Sequence, residues 1–186
     1  MKEGFVIAFP TDTVYGIGTP VFDTLGVKKI NELKKRPDSM KMAVLCSSLA
    51  MIESIAILTD DAKRLIKAFM PGAFTLILKA NKNYQDKTNE KTVGIRIPNH
   101  QLALKIINKY GPLKTTSIND HGEEPLNDIL KVKEKYGSYI DEIYSIDNET
   151  SSGIASTVID YSDNTLKIIR EGNIKLKDCL SVLKNK

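Results

Sequence analysis

Short apolar runs that stop at proline or glycine, set between segments of helical period, limit what this chain can fold into. The run 5–9, Phe-Val-Ile-Ala-Phe, has strand length and composition. It ends at Pro10, which cannot donate to a sheet ladder. Similar runs fall at 42–46, 74–78, 92–97, 113–117, 142–146, 156–160 and 166–170. Between them, Asp23 or Thr24 can cap a helix with Val27, Ile30 and Leu33 on one face. That helix closes before Pro37, which disfavours helical geometry at Arg36. Further helices are predicted over 49–57, over 60–69 with Thr59 as cap, and from Asn99 as cap to Tyr110 with Gly111 beyond it. The segments 128–136 and 175–183 complete the set. The polar stretch 81–91 lacks a period and reads as a surface loop, as does 118–127. Strands alternate with helices early and cluster late, which predicts one α/β domain with a mixed sheet flanked by helices.

Length and composition agree with one core. A chain of 186 residues can remove roughly 70% of its unfolded surface from water. The apolar and charged fractions, 41% and 27%, are ordinary for a globular protein. No apolar run approaches the roughly 20 residues that span a bilayer. Met1-Lys2-Glu3-Gly4 leads directly into a strand-like run without a cleavage site, so a cytoplasmic protein with no signal peptide is expected. Cys46 and Cys179 are far apart and read as reduced, buried thiols. His100 and His121 stand alone, so no zinc pattern is present and metal ligands stay unassigned. A net charge of +4 permits a phosphate-bearing partner without requiring one.

Four polar clusters lie at the ends of predicted strands: 11–18, 34–41, 115–125 and 151–157. Ligands of open α/β sheets collect outside strand ends, so these clusters could share a site. In the first, Thr11, Asp12, Thr13 and Tyr15 precede Gly16 and Gly18; a turn or a pocket for a polar small molecule explains them equally. Lys34, Lys35, Arg36 and Lys41 are either solvated helix-end cations or a clamp on triphosphate oxygens. Arg96 interrupts an apolar strand, so its guanidinium faces either solvent or a specific anion, since burying it unpaired is prohibitive. Thr115, Ser117 and Asn119, and later Ser156 and Thr157, are either turn formers or contacts for a ligand. No GxxxxGK[ST] loop, completed GxGxxG or GxSxG elbow occurs. Nucleotide chemistry here would therefore rest on positioning and electrostatics.

Taken in order, these blocks resemble the YrdC/Sua5 family of threonylcarbamoyl-AMP synthases. Pro10-Thr11-Asp12-Thr13-Val14-Tyr15-Gly16 resembles its P-T-[ED]-T-V-Y-G, and Lys34-Lys35-Arg36-Pro37 its K-x-R-P. Pro71-Gly72-Ala73-Phe74-Thr75-Leu76-Ile77-Leu78 is similar to P-G-P-x-T-L-I-L. Val93-Gly94-Ile95-Arg96-Ile97-Pro98-Asn99-His100 is similar to V-x-[VI]-R-x-P-x-H. Thr116-Ser117-Ile118-Asn119 with Gly122 and Pro125, then Ser156-Thr157-Val158-Ile159-Asp160 and Ile169-Arg170-Glu171-Gly172, continue the family order. Seven blocks in order cover nearly the whole chain.

The resemblance implies a twisted α/β sheet around a large, positively charged concave cavity. It implies a single YrdC-like domain over 1–186 without the C-terminal domain of the longer Sua5 form. The implied reaction condenses L-threonine, bicarbonate or CO2, and Mg2+-bound ATP to threonylcarbamoyl-AMP and pyrophosphate. The product would serve t6A modification of tRNA through a separate transferase complex. By motif, Thr13, Arg96, Thr115 and Ser156 hold threonine, Arg96 on its carboxylate. Lys34, Arg36, Thr92, Ser117, Asn119 and Arg170 hold ATP, with Lys34 and Arg36 as the catalytic cations. Tyr15 shapes the pocket, and Gly16 and Gly18 leave room for the ligand.

Several positions depart from the family pattern. Met40-Lys41-Met42 stands where K/N-P-L is usual, which shifts Lys41 by one position. His121 and Glu124 replace small residues, Ile118 replaces alanine, and the family's preceding helix has no counterpart, leaving a sheet edge to be covered. Residues 42–46 resemble the YciO-type branch, so a paralogue acting on another nucleotide or carbamoyl substrate is one alternative. A non-catalytic RNA-binding module is another. It is short of stacking groups, since the chain has 5 Phe, 7 Tyr and no Trp.

Overall fold

The computed structural model describes residues 2–120, 122–126, 128–145 and 151–184. Its strands are β1 (Ile7–Phe9), β2 (Gly16–Pro20), β3 (Ala43–Leu45), β4 (Phe74–Lys79), β5 (Thr92–Arg96), β6 (Leu113–Ser117), β7 (Glu142–Ile143), β8 (Thr157–Asp160) and β9 (Lys167–Arg170). The helices are α1 (Thr24–Leu33), α2 (Leu49–Glu53), α3 (Asp60–Phe69), α4 (Lys82–Thr88), α5 (Gln101–Tyr110), α6 (Ile129–Tyr136) and α7 (Leu176–Lys184). Among the described residues, all nine strands join one sheet in the order β7-β1-β2-β6-β3-β5-β4-β8-β9. Pairing is parallel at β1/β7, β3/β5 and β4/β8 and antiparallel elsewhere. The result is a twisted mixed sheet with helices packed against it.

Alternation along the strands decides what each face carries. In β5, Val93 and Ile95 enter a core that also holds Val44, Leu76, Leu78 and Ile159. Ile52 of α2 and Ala62, Leu65 and Ile66 of α3 close that core. The intervening residues, Thr92, Gly94 and Arg96, point the other way. α3 starts where Thr59 Oγ1 accepts from the Ala62 amide at 3.2 Å. Burying Leu65 completely contributes about 2 kcal/mol of transfer free energy. A second cluster packs Ala8 and Ile17 against Ile30 of α1 and Val132 and Tyr136 of α6. A third seats Ile7, Phe9 and Leu113 on Ala103, Ile106 and Ile107 of α5.

Four local expectations need correction. The 16–20 stretch is a strand, β2, held between β1 and β6. The 81–91 stretch contains α4: Asn81 Oδ1 accepts from the Tyr84 amide at 2.9 Å, and Asn89 ends the helix in the left-handed region at φ 58°. Tyr84 is its one fully buried anchor, too little to give a period. α5 is capped by His100, whose Nδ1 accepts from the Ala103 amide, rather than by Asn99. β1 is no edge, because β7 pairs with it. β7 is described only as Glu142–Ile143; Ile146 and His121 lie outside the described residues.

Candidate active site

The polar face of the sheet floors a cavity of about 870 Å3. Thr75 and Ile77 of β4, Thr92, Gly94 and Arg96 of β5, Ala43 and Leu45 of β3, and Thr115 and Ser117 of β6 alternate into it. Residues from all four polar clusters reach the same space: Thr11 and Thr13, Lys34, Arg36 and Lys41, Thr115 to Asn119, and Ser156 with Arg170. Gly16 also lines it, but Gly16 and Gly18 do a different job from the one expected. A Cβ on Gly16 would lie 2.8 Å from Thr115 Cγ2, and one on Gly18 2.8 Å from Thr115 Oγ1. The glycines make room for Thr115 on the neighbouring strand.

Arg96 is 7% exposed and engages three groups. Nη2 donates to Asp12 Oδ1 at 2.6 Å, Nη1 to Thr13 Oγ1 at 2.8 Å, and Nε to the Gly72 carbonyl at 3.0 Å. Its anion is thus an internal carboxylate, and Asp12 gains a definite partner. Burial pushes the guanidinium pKa down, Asp12 opposes this, and Arg170 adds to it. A guanidinium has five N–H donors, so one on each Nη is left over from these bonds. The Ser152 and Gly153 amides donate to the carbonyls of Asp12 and Thr13, tying the 151–153 segment to the same loop.

Lys34 is spent on the protein itself. Nζ donates to the Ser117 carbonyl at 2.5 Å, the Asn119 carbonyl at 2.6 Å and Asn119 Oδ1 at 2.9 Å. An ammonium has three donors, and these bonds use all three. Burial pushes its pKa down to about 8; Arg36 acts in the same direction and Asp120 opposes it. The Asn119 amide is saturated too. Its Oδ1 also accepts from Ser117 Oγ at 2.6 Å, and Nδ2 donates to the Asp120 and Glu123 carbonyls. Both side chains, expected to touch ATP, line the cavity and hold the Ser117–Asn119 corner in shape. Asp120 steadies that corner, with its pKa held down to about 2, first by the Tyr136 hydroxyl and then by Lys135.

Arg36 behaves otherwise. Nη2 donates to the Lys41 carbonyl at 2.5 Å, whereas Nη1 is buried without a hydrogen-bond partner. Burial pushes its pKa down. Lys41 is exposed and donates to Thr92 Oγ1 at 2.9 Å, which joins it to the cavity wall.

On the far side, Arg170 Nε donates to the Ser156 carbonyl at 3.0 Å and Nη2 to Ser156 Oγ at 3.1 Å. Ser156 Oγ also lies 2.9 Å from Thr75 Oγ1. Thr75 thus joins the site without having been expected there; a hydroxyl within an apolar strand is the same signal that singles out Arg96. Behind Arg170, Thr157 Oγ1 donates to the Ile174 carbonyl and accepts from the Gly172 amide. Tyr15 is buried in the core beside Ile17 and Ile30, away from the cavity lining.

Among the described residues, the lining carries the cations Lys34, Arg36, Lys41, Arg96 and Arg170 against the carboxylates Glu123 and Asp160. No group of three or more ligating residues that could hold a metal ion occurs among them. No described helix is long and apolar enough to cross a membrane.

A mixed sheet whose polar face floors a cavity lined by five cations, with hydroxyls on its floor, defines the class: an α/β protein with its polar cavity on one face of the sheet. A family model described as telomere recombination, for Sua5, YciO and YrdC proteins, matches residues 1–172. The threonylcarbamoyl-AMP synthase of Bacillus subtilis is 33% identical over 188 residues, 98% of this chain and 54% of its own length. Pyrococcus abyssi Sua5, solved in complex with L-threonine, superposes with a TM-score of 0.87 at 33% identity over 97% of this chain and 54% of its own. Escherichia coli YciO superposes with a TM-score of 0.82 at 29% identity over 94% of this chain and 86% of its own. The chain belongs to the Sua5/YciO/YrdC family and spans about half the length of the B. subtilis and P. abyssi relatives.

Proposed function

We propose that this protein is an L-threonylcarbamoyladenylate synthase, condensing L-threonine, bicarbonate or CO2, and ATP. The observation that carries the reading is the buried, unpartnered Nη1 of Arg36, in the same cavity as Arg96 and the Thr13, Thr115 and Ser156 hydroxyls. An orphaned guanidinium donor is costly unless an anion completes it. The hydroxyl end, with the remaining Arg96 donors, suits a small hydroxy-amino acid. The Arg36, Lys41 and Thr92 end suits a triphosphate. Lys34 and Asn119 act from behind, fixing the Ser117 edge and adding positive field. Arg170, bonded to Ser156, adds a cation beside the hydroxyl end and would reach a phosphate placed there.

In this reaction the threonine amine adds to CO2, and a carbamate oxygen then forms a bond to the α-phosphorus. The bond from that phosphorus to the bridging oxygen breaks, and pyrophosphate leaves. Negative charge grows on phosphoryl oxygens, where fixed cations stabilise it. Magnesium arriving with ATP would add Lewis-acid stabilisation there, held chiefly by the phosphate oxygens it arrives with. The product would pass to the transferase complex that completes t6A on tRNA.

Pyrophosphate release from Mg-ATP tests the reading. It should require both threonine and bicarbonate, and release that ignores threonine would overturn it. A YciO-like activity on another carbamoyl or nucleotide substrate is the second reading. It is favoured by the match to E. coli YciO over 86% of that chain and predicts nucleotide binding with no threonine-dependent turnover.

A further inference from the structure

Gly94 sits at the middle of the cavity floor and has no part in the roles described so far. It shares a strand face with Thr92 on one side and Arg96 on the other. Four residue steps of roughly 3.3 Å put Thr92 and Arg96 about 13 Å apart, with Gly94 midway. Thr92 is tied to Lys41 at the triphosphate end, and Arg96 is tied to Thr13 at the amino-acid end. The glycine is not needed for backbone conformation or packing. A Cβ placed on it would lie 3.5 Å from Ile77 Cγ1 and 3.5 Å from Thr75 Cγ2, ordinary van der Waals distances. This sets it apart from Gly16, Gly18 and Gly172, where a Cβ would collide. The strand therefore has room for a side chain at 94, and that side chain would project into the cavity between its two ends.

We infer that Gly94 is the position that lets the two ligands occupy the cavity together: its missing side chain is the gap in which amino acid and nucleotide meet. The inference rests on the synthase reading and adds where the reacting groups lie. Neither ligand alone needs the space over Gly94, since each is anchored at its own end. Both together do. Obstruction at 94 should thus appear as antagonism between ligands rather than as loss of either.

The test is calorimetric titration of threonine with and without saturating α,β-methylene-ATP, on wild type and Gly94→Leu. Wild type should bind threonine equally well or better in the presence of the analogue. Gly94→Leu should bind each ligand alone within about threefold of wild type. With the analogue saturating, its threonine affinity should fall tenfold or more, and pyrophosphate release should fall with it. Unchanged threonine affinity in the presence of the analogue would overturn the inference while leaving the synthase reading intact. Wild type that binds neither ligand would instead remove the synthase reading and this inference with it. If Gly94→Leu does not melt cooperatively, Gly94→Ala and Ala43→Val carry the test. Both should show the same antagonism at about threefold, and its absence from both would count against the inference.

Discussion

Lys34 and Arg36 leave the end of α1 two residues apart, and their surroundings make opposite use of them. Lys34→Met would remove the ammonium donor from the Ser117 and Asn119 carbonyls and leave Asn119 Oδ1 with the Ser117 hydroxyl alone. It should lower stability by about 2–4 kcal/mol, read as a shift of the urea midpoint. Arg36→Ala should leave that midpoint within about 0.5 kcal/mol and instead weaken nucleotide binding tenfold or more. Lys34 also makes a pH prediction. Its folded pKa of about 8 lies below the unfolded value of 10.5, so between those limits the unfolded chain holds a proton that the folded one has released. The burial penalty is therefore present below about pH 8, and stability attributable to Lys34 rises with pH from there to about 10.5. An NMR titration of its Nζ should have its midpoint near 8, and a midpoint at 10 or above would remove the depression. None of this division was legible in Lys34-Lys35-Arg36-Pro37, where the cations look alike. The acceptors that claim Lys34 come from a strand end 83 to 85 residues away. Arg96 was half legible: an arginine inside an apolar strand demanded an anion, but nothing local said that Asp12 would supply one.

At the scale of elements, the sequence showed whatever a period or a cap could show. α3 and its Thr59 cap, β6, and the mixed sheet follow from local pattern, and the structure places them accordingly. β2 escaped because Gly-Ile-Gly-Thr-Pro has weak strand propensity; its strand state comes from the two neighbours it pairs with and from Thr115 packing over its glycines. α4 escaped because one tyrosine anchors it. Tyr84 Oη donates to Glu90 Oε2 at 2.7 Å, and Glu90 Oε1 meets Lys114 Nζ at 2.6 Å. Tyr84→Phe keeps the ring but removes a donor from that carboxylate, so thermal unfolding should report about 1–2 kcal/mol lost. The turn after β9 makes a sharper case. A Cβ at Gly172 would lie 2.7 Å from the Ala155 carbonyl and 2.9 Å from the Thr157 amide, backbone atoms that cannot yield cheaply. Gly172→Ala should cost about 1–3 kcal/mol and move Arg170 off Ser156. Nucleotide affinity should then fall with stability, a coupling that Tyr84→Phe should not show.

On the scale of the whole molecule, the floor of the cavity is made by the sheet, and the loops at 11–14, 36–41 and 119–125 wall it. Its floor takes side chains from β6, β3, β5, β4 and β8, five consecutive strands of the sheet, with Gly16 of β2 and Arg170 of β9 at its borders. A ligand that bridges this floor holds together strands contributed by residues 43 to 160, and unfolding any of them releases it. Binding should therefore stabilise the entire domain by mass action, and the chain should melt in one transition with and without ligand. At a free concentration of 100 times the dissociation constant the gain is about 2.7 kcal/mol, which for a domain of this size raises Tm by roughly 5–10 °C. Threonine and an ATP analogue should each produce such a shift in differential scanning calorimetry. Arg96→Ala should abolish the threonine shift while leaving most of the nucleotide shift, because Arg36, Lys41 and Thr92 lie at the other end. An RNA-binding module predicts a different pattern: stabilisation by oligoribonucleotide that collapses between low and moderate salt, and none from threonine. Equal loss of both small-molecule shifts in Arg96→Ala would show one undivided anion site and would rule out the assignment of separate ends.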